Sequence, residues 1–94
     1  MTWKRVPASK IFSSKWKIEE TIEDIEQGRL SQSSGAPLVA KFSNRSGYVL
    51  VDGHHRVLEE HPLNEVWVEV QDWKYRADSS VEFMSVKQAR KLRG

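Results

Sequence analysis

The chain has 94 residues, no cysteine and a formal net charge of +2 at neutral pH. This length predicts one domain covering residues 1–94, and the lack of cysteine excludes disulfides and any reaction that uses a thiol. No apolar segment is long enough to span a bilayer and the N-terminus lacks a signal-peptide core, so we expect a cytoplasmic protein without a membrane partner.

Residues 1–17 are basic, contain no acidic residue and follow no regular hydrophobic period. Val6 and the pair Ile11–Phe12 predict short strands, and Pro7 restricts the first of them to a sheet edge because it lacks an N–H group. Large aromatic side chains usually serve burial. We therefore expect Trp3 and Trp16 in the core or under a lid, with an exposed stacking platform as the alternative.

An acidic amphipathic helix is predicted next. Ile18, Ile22, Ile25 and Arg29–Leu30 recur at spacings of four, three and about four, and acidic residues fill most of the positions between them. Acids near the start of this helix would suit its dipole, and the others are expected to form a solvated face. Gly28 marks the end of the helix, and the polar segment 31–36 is typical of a loop.

Two strands and a turn are predicted in the middle of the chain. Residues 37–42 and 48–52 are apolar runs separated by a segment that contains Gly47, which is typical of a β-hairpin. Residues 65–72 alternate valines with polar or aromatic side chains and predict a half-buried strand. Trp67 would then lie opposite the valine row, covered by a helix or exposed at a partner surface.

The C-terminal residues predict a short basic helix that ends near Leu92. Ser85 and Gln88 have the spacing of a capping box, in which each side chain satisfies the backbone N–H of the other. Residues 81–84 are either a last strand or the entry to this helix. Basic ends can bind a polyanion, although a solvated charged face is the alternative. The candidate contacts to DNA, RNA or a protein partner are Lys87, Arg90, Lys91 and Arg93.

The most informative segment follows the second strand of the hairpin. Asp52 and Gly53 end the strand, and His54, His55 and Arg56 open a short helix. Glycine permits a tight turn and a close approach of a ligand, while the free N–H groups and dipole of a helix start attract anions. The segment therefore predicts a phosphate-binding turn, with Arg56 holding phosphate oxygens through its planar fork.

Each of these residues also has a plainer interpretation. Asp-Gly is an ordinary turn dipeptide, and the histidines could simply be solvated at a helix start. Arg56 could form an ion pair with Glu59 or Glu60 on the same helix. Asp52 could cap the helix, contact a metal or ribose, or act as a general base, and capping is the interpretation that its position favours.

Catalysis at the turn would need a base, and the sequence offers Asp52, His54 and Glu20 without ranking them. The two adjacent histidines point in different directions on a helix, so no metal site formed by protein side chains alone is expected. A magnesium ion held mainly by the phosphates of a nucleotide, with Asp52 or water completing its shell, is compatible with the preference of this ion for oxygen.

The segment from Gly53 to Arg56 resembles the signature of the ParB/sulfiredoxin superfamily, in which a Gly-x-His/Arg-Arg turn opens a helix and holds nucleotide phosphates. The resemblance extends over roughly residues 10–71, because such domains also place a helix ending in Gly-Leu before a strand that begins with proline. Here the corresponding positions are Gly28–Leu30 and Pro37. Another strand follows the signature helix in the family, and residues 66–70 offer one.

The chain also departs from the family pattern. His54 stands where sulfiredoxins have their reactive cysteine, the glutamate common in ParB domains is absent, and the loop 31–36 is longer than usual. No helix-turn-helix domain follows.

The resemblance implies a small α/β (α+β) domain with a mixed sheet and short helices. It also implies a stand-alone ParB-like protein that binds a nucleotide or another phosphate-bearing ligand at the turn 52–56 through Gly53, His54, His55 and Arg56, with phosphoryl-transfer, nucleotide-hydrolysing or nuclease activity. The alternative is a non-catalytic interaction protein of a phage or mobile element, which binds a host protein or nucleic acid through its basic ends and exposed tryptophans.

Overall fold

Six strands form one mixed sheet in the computed structural model, which describes residues 2–28, 37–59 and 64–93 except for the side chains of Glu59 and Arg93. The strand order is β1-β5-β3-β4-β2-β6. The pairs β2/β4 and β3/β5 are parallel and the other neighbours are antiparallel. The strands are β1 (Thr2–Pro7), β2 (Ile11–Ser14), β3 (Leu38–Phe42), β4 (Tyr48–Asp52), β5 (Glu65–Tyr75) and β6 (Phe83–Ser85).

The helices connect and cover these strands. A short 3₁₀ turn, Ala8–Lys10, joins β1 to β2, and the α-helices are α1 (Lys15–Glu26), α2 (His54–Glu59) and α3 (Val86–Arg93). The predicted α+β class with a mixed sheet is confirmed, and the described residues form a small compact domain. None of the helices among the described residues combines the length and apolarity needed to cross a membrane.

The main core lies between the helices and one face of the sheet. Alternation along each strand directs every second side chain to this side, so the apolar stripe of the helices meets a continuous layer of branched aliphatic residues. Full burial of such a side chain stabilises the fold by about 1.5–3 kcal/mol. The largest fully buried side chains of this core are Val6, Ile11, Ile18, Val39, Val57, Val68 and Val86.

A second, smaller cluster occupies one end of the opposite face. The rings of Phe12, Tyr75 and Phe83 surround Phe42 edge to face, with centroids 5.5–6.1 Å from its own. The guanidinium of Arg45 lies 4.6 Å from the ring centroid of Phe12 and covers the cluster from the hairpin turn. This end of the face is therefore packed, whereas none of the helices among the described residues covers the rest of the face.

The boundaries of α1 correct one prediction. The helix begins at Lys15, three residues before the first isoleucine, so its first turn contains lysines and no acidic residue. The expected match between acids and the helix start is wrong for this reason. The helix ends near Gly28 as expected: α1 stops at Glu26, and Gly28 adopts φ +77 with its N–H donating to the carbonyl of Ile25. Leu30, the last residue of the predicted apolar stripe, lies outside the described residues.

Several other local predictions are confirmed. β3 and β4 pair as an antiparallel hairpin, and β1, which contains Pro7, lies at the edge of the sheet. The capping box closes in both directions: the N–H of Gln88 donates to the hydroxyl of Ser85 at 3.2 Å, and the N–H of Ser85 donates to the side chain of Gln88 at 3.1 Å. The predicted loop 31–36 lies outside the described residues.

Candidate functional site

The turn between β4 and α2 has the predicted strand-to-helix shape. The carbonyl of Gly53 accepts the first helical hydrogen bond, from the N–H of Val57 at 3.1 Å, so Gly53 is the N-cap of α2. Its φ is +93, and a Cβ at this position would lie 2.9 Å from the Cα of Pro37. Glycine is thus required here by the backbone and by the neighbouring strand, whether or not a ligand binds.

Asp52 does not cap α2, because it lies one residue before the N-cap. Its side chain is exposed, and Oδ1 accepts a hydrogen bond from the N–H of Gly53 at 2.9 Å. The carboxylate therefore stabilises the turn and places a negative charge beside the start of the helix. That charge opposes a free anion at this point, and it suits a cation or an anion that carries a cation with it.

His54 turns towards the protein and contacts β2. Its Nε2 and the hydroxyl of Ser13, which is buried, share a hydrogen bond of 2.8 Å. Ser13 lies on the strand that leads into α1, so this bond ties the start of α2 to the sheet beneath it. No sequence signal predicted the pairing, because the two residues are 41 positions apart.

Burial lowers the pKa of His54 to about 4, and the positive charge of Lys17 on α1 adds to the effect. The carboxylate of Asp52 opposes the shift, and His55 contributes to it. The ring is therefore neutral at physiological pH. A neutral imidazole can accept or donate one hydrogen bond to a ligand, but a group with this pKa is a weak proton acceptor near pH 7.

His55 contacts α1, whereas His54 contacts β2. Nε2 of His55 lies 3.6 Å from Oδ2 of Asp24, which connects α2 to α1, and both side chains are mostly buried. Arg56 is half-buried and makes interactions of its own. The histidines and the arginine thus lie close together in the chain, but the two histidines have protein partners on different elements.

No group of three or more metal-binding side chains occurs in the described parts of the chain. Asp52 offers an exposed carboxylate oxygen, which is the ligand type that magnesium prefers, so this residue fits the expected role beside nucleotide phosphates.

The basic residues of α3 divide into two groups. Arg90 is half-buried, and its Nε and Nη2 donate to the carbonyl of Val57 at 3.2 and 2.9 Å, so it binds the C-terminal half of α2. The prediction of Arg90 as a simple surface contact missed this structural role. Lys87 and Lys91 are exposed, whereas the side chain of Arg93 lies outside the described parts.

All four tryptophans of the chain are exposed, and the expectation that Trp3 and Trp16 are covered is wrong. Three of them share the face of the sheet that the helices leave open. Trp67 alternates along β5 with the core valines Val66 and Val68, so it lies on the opposite face. Trp3 is paired with Glu69, two residues from Trp67, and therefore lies on the same side as Trp67. Trp73 is two residues from Tyr75, which belongs to the small aromatic cluster on that face. We call this surface, formed by Trp3, Trp67 and Trp73, the tryptophan face.

The tryptophan face exposes about half of each of its three indole side chains. Its three indoles keep 57, 53 and 49% of their surface exposed, for Trp3, Trp67 and Trp73 respectively. Trp67 and Trp73 are six residues apart on β5, and between Val70 and Lys74 this strand has two residues more than its partner β3. The alternation of residues 65–72 predicted the side on which Trp67 lies, but the register with β1 that adds Trp3 could not be obtained from the sequence.

Charges of both signs surround the indoles. The guanidinium of Arg5 lies 5.2 Å from the centroid of the Trp67 ring, a cation–π contact between paired residues of β1 and β5. Glu65 and Glu69 alternate with Trp67 and lie on the same face. The face therefore combines aromatic surface, a stacked arginine and two carboxylates.

Comparison with protein-family models, with curated proteins and with solved structures gives no match for this chain.

Proposed function

We propose that this protein is a non-catalytic interaction module that binds another protein through the tryptophan face. The observation that supports the proposal is the exposure of Trp3, Trp67 and Trp73 on one side of the sheet. Tryptophan and arginine are the residues most enriched among those that dominate binding energy at protein interfaces, and exposed apolar surfaces of this kind mark interaction sites. Covering them with a partner would remove this apolar surface from water.

The charges favour a protein over a nucleic acid as the occupant. A protein that binds single strands combines stacking aromatic rings with a positively charged groove that follows the phosphates. Here Glu69 lies directly opposite Trp3 and Glu65 lies beside Trp67, with Arg5 as the cation between them. Phosphates would meet these carboxylates, whereas a protein partner can offer basic and acidic groups to match both signs.

The edge strand adds a second feature that suits a protein partner. β1 is the first strand of the sheet, and its pairing among the described residues is with β5 alone. Its outer backbone groups are therefore available to another strand, although Pro7 limits the pairing at one end. A partner could contact this edge and the indoles together.

The proposal is tested with a matched pair of tryptophan variants. Trp67→Ala removes an indole from the face, while Trp16→Ala removes one from α1, where the exposed fraction is similar at 65%. The wild type and both variants are immobilised and exposed to a lysate of cells that produce the protein. A protein that binds to the wild type and to Trp16→Ala, but not to Trp67→Ala, is then purified and titrated by calorimetry. We expect a saturable complex that Trp67→Ala weakens by about 2 kcal/mol or more, the usual loss at a dominant interface residue.

Nucleic acid is the competing occupant in the same test. Tryptophan fluorescence is followed while single-stranded oligonucleotides are added to the wild type and to Trp67→Ala. Quenching that saturates in the wild type and disappears in the variant would assign the face to nucleic acid and overturn the protein proposal. Equal retention of the purified protein by Trp67→Ala and Trp16→Ala would overturn it as well.

A phosphate-bearing ligand at the turn 52–56 is the second candidate function. It rests on the resemblance to the ParB/sulfiredoxin superfamily and on one structural observation, the placement of Lys17 close enough to His54 to lower its pKa. Lys17 is also paired with Glu20 on α1, with its Nζ 3.7 Å from Oε1. A magnesium ion beside Asp52 would offset the carboxylate that otherwise opposes phosphate, and the phosphoryl-transfer, hydrolytic and nuclease activities implied by the family would depend on this site.

Calorimetry with nucleotides, each with and without magnesium, tests this second candidate. Arg56→Ala should weaken binding by about 1.5–3 kcal/mol if its guanidinium holds phosphate, and Arg56→Lys should restore only part of the loss because an ammonium lacks the planar fork. Equal affinity of wild type and Arg56→Ala would remove the candidate and leave the tryptophan face as the functional surface.

A further inference from the structure

A cavity of about 460 Å³ lies between the 3₁₀ turn and α3, and its lining residues include none of the three tryptophans of the tryptophan face and none of residues 52–56. Its walls include Ala8 and Ser9 from the 3₁₀ turn, Asn64 from the residue before β5, and Lys87 and Lys91 from α3. The N–H of Ala8 donates to the carbonyl of Asn64 at 2.8 Å, which fixes two of the walls to each other. This volume falls within the range of small-molecule sites.

The cavity is lined by positive charge. Lys87 and Lys91 are four residues apart on α3, so their side chains share one face of the helix and repel each other. Lys87 also lies in the first turn of α3, where the helix dipole disfavours a cation. Neither ammonium group has a carboxylate partner among the described residues, and no acidic side chain of those residues lines the cavity.

The remaining polar groups of the cavity suit the same ligand. Arg90 lines it as well, and its guanidinium is held in place by the two hydrogen bonds to the carbonyl of Val57. The hydroxyl of Ser9 and the side-chain amide of Asn64 add neutral donors. Two ammonium groups and two neutral donors around one space would satisfy the oxygens of a phosphate, and Ala8 with Pro7 forms an apolar wall beside them. Arg90 adds its charge at the edge of this space while making interactions of its own.

We infer that this cavity is an anion site that binds a phosphate group through Lys87 and Lys91, with Arg90 as a fixed third charge. The phosphate belongs to a small phosphorylated molecule or to the backbone of a nucleic acid, since both present the same oxygens. The site is distinct from the tryptophan face, so it allows the protein to hold an anionic ligand while that face binds its partner.

Two double variants with the same change in net charge test the inference. Lys87→Gln/Lys91→Gln removes both ammonium groups from the cavity, and Lys41→Gln/Lys74→Gln removes two exposed ammonium groups from β3 and β5. Inorganic pyrophosphate is titrated into each protein by calorimetry at low ionic strength. A short single-stranded oligonucleotide is titrated separately over a range of salt concentrations, and circular dichroism checks that all variants are folded.

The cavity variant should lose at least about tenfold in affinity for the probe that binds, since hydrogen bonds to charged groups contribute on this scale, while the control variant stays within about twofold of the wild type. Pyrophosphate binding assigns the site to small phosphorylated molecules. Binding of the oligonucleotide alone assigns it to nucleic acid, and the salt slope should then fall by about 1.4 in the cavity variant, about 0.7 for each lost phosphate contact. Equal losses in the two variants, or no binding of either probe by the wild type, would overturn the inference.

Discussion

The turn 52–56 and the tryptophan face differ in what their residue types suggest and in what the fold does with them. The turn is rich in groups that could bind or react, yet Gly53 is required by Pro37, His54 pairs with Ser13 and His55 lies against Asp24. The tryptophan face has residues that usually form a core, yet three indoles remain about half exposed. Whether a residue contacts other residues of the protein therefore shows better than its type whether it serves the fold or is available for binding.

Substitution of Gly53 should give the largest effect on stability. Gly53→Ala places a Cβ 2.9 Å from the Cα of Pro37 and forces alanine to φ +93, so we expect a loss of about 2–4 kcal/mol in the free energy of unfolding. Gly28→Ala is the control, because Gly28 has φ +77 but a Cβ added there would meet no atom of the other described residues within 4 Å. This substitution should lower the free energy of unfolding by only about 1 kcal/mol. Urea unfolding measures both. Equal losses would show that contact with Pro37 contributes nothing.

Removal of Arg90 should be the next largest effect. Arg90→Ala deletes both hydrogen bonds to the carbonyl of Val57 and should lower the free energy of unfolding by about 1.5–3 kcal/mol. Lys91→Ala, one position further along α3, removes an exposed charge and should change it by less than about 0.5 kcal/mol. An unchanged free energy of unfolding in Arg90→Ala would mean that the end of α2 is held by other contacts.

The buried imidazole should make stability depend on pH. His54 binds a proton with a pKa of about 4 in the folded state and near its ordinary value when unfolded, so the unfolded state binds more protons between these values. The stabilisation is complete above about pH 6.5 and is lost as the pH falls towards 4. Because the ring is partly open to solvent, we expect a loss on the order of 2 kcal/mol.

The difference between wild type and His54→Gln isolates this effect from the titration of carboxylates in the same pH range. Groups of three elements face the ring, namely Lys17 on α1, Asp52 on β4 and His55 on α2, and all three remain in the variant. The stability curve of His54→Gln should be flatter between pH 6.5 and 4. Parallel curves for the two proteins would contradict a neutral, buried His54.

The tryptophan face should tolerate truncation. Trp3→Ala and Trp67→Ala remove half-exposed indoles, so each should change the free energy of unfolding by less than about 1 kcal/mol, including the cation–π contact of Arg5 with Trp67. A loss of about 3–5 kcal/mol, the size expected for a core aromatic residue, would place that indole in the fold rather than on a binding surface.

Much of the fold was predictable because its signals are local. The hairpin follows from two apolar runs around Gly47, the capping box from Ser85 and Gln88, and the end of α1 from Gly28. The start of α1 was predicted too late because Lys15–Lys17 have no apolar period, although the helix includes them. Strand register was not predictable, since it depends on which distant segments pair.

The turn was found in the sequence for the same reason, since a strand, a glycine and a short helix occur together. Its internal partners were not found: Ser13 and Pro37 approach His54 and Gly53 only after the sheet forms. The tryptophan face required the pairing of β1 with β5, which places Trp3 beside the alternating residues of β5. Residue type alone predicted burial for Trp3, and the open face of the sheet decided otherwise.

The account is tested most directly by photo-crosslinking at the tryptophan face. A benzophenone amino acid replaces Trp67 in one variant and Trp16 in another, and each is irradiated in cells that naturally produce the protein. We predict a discrete covalent adduct with one protein from position 67 that is absent from position 16. Identical adducts from the two positions, no adduct from position 67, or a nucleic-acid adduct there would contradict the proposal that this face binds a protein partner.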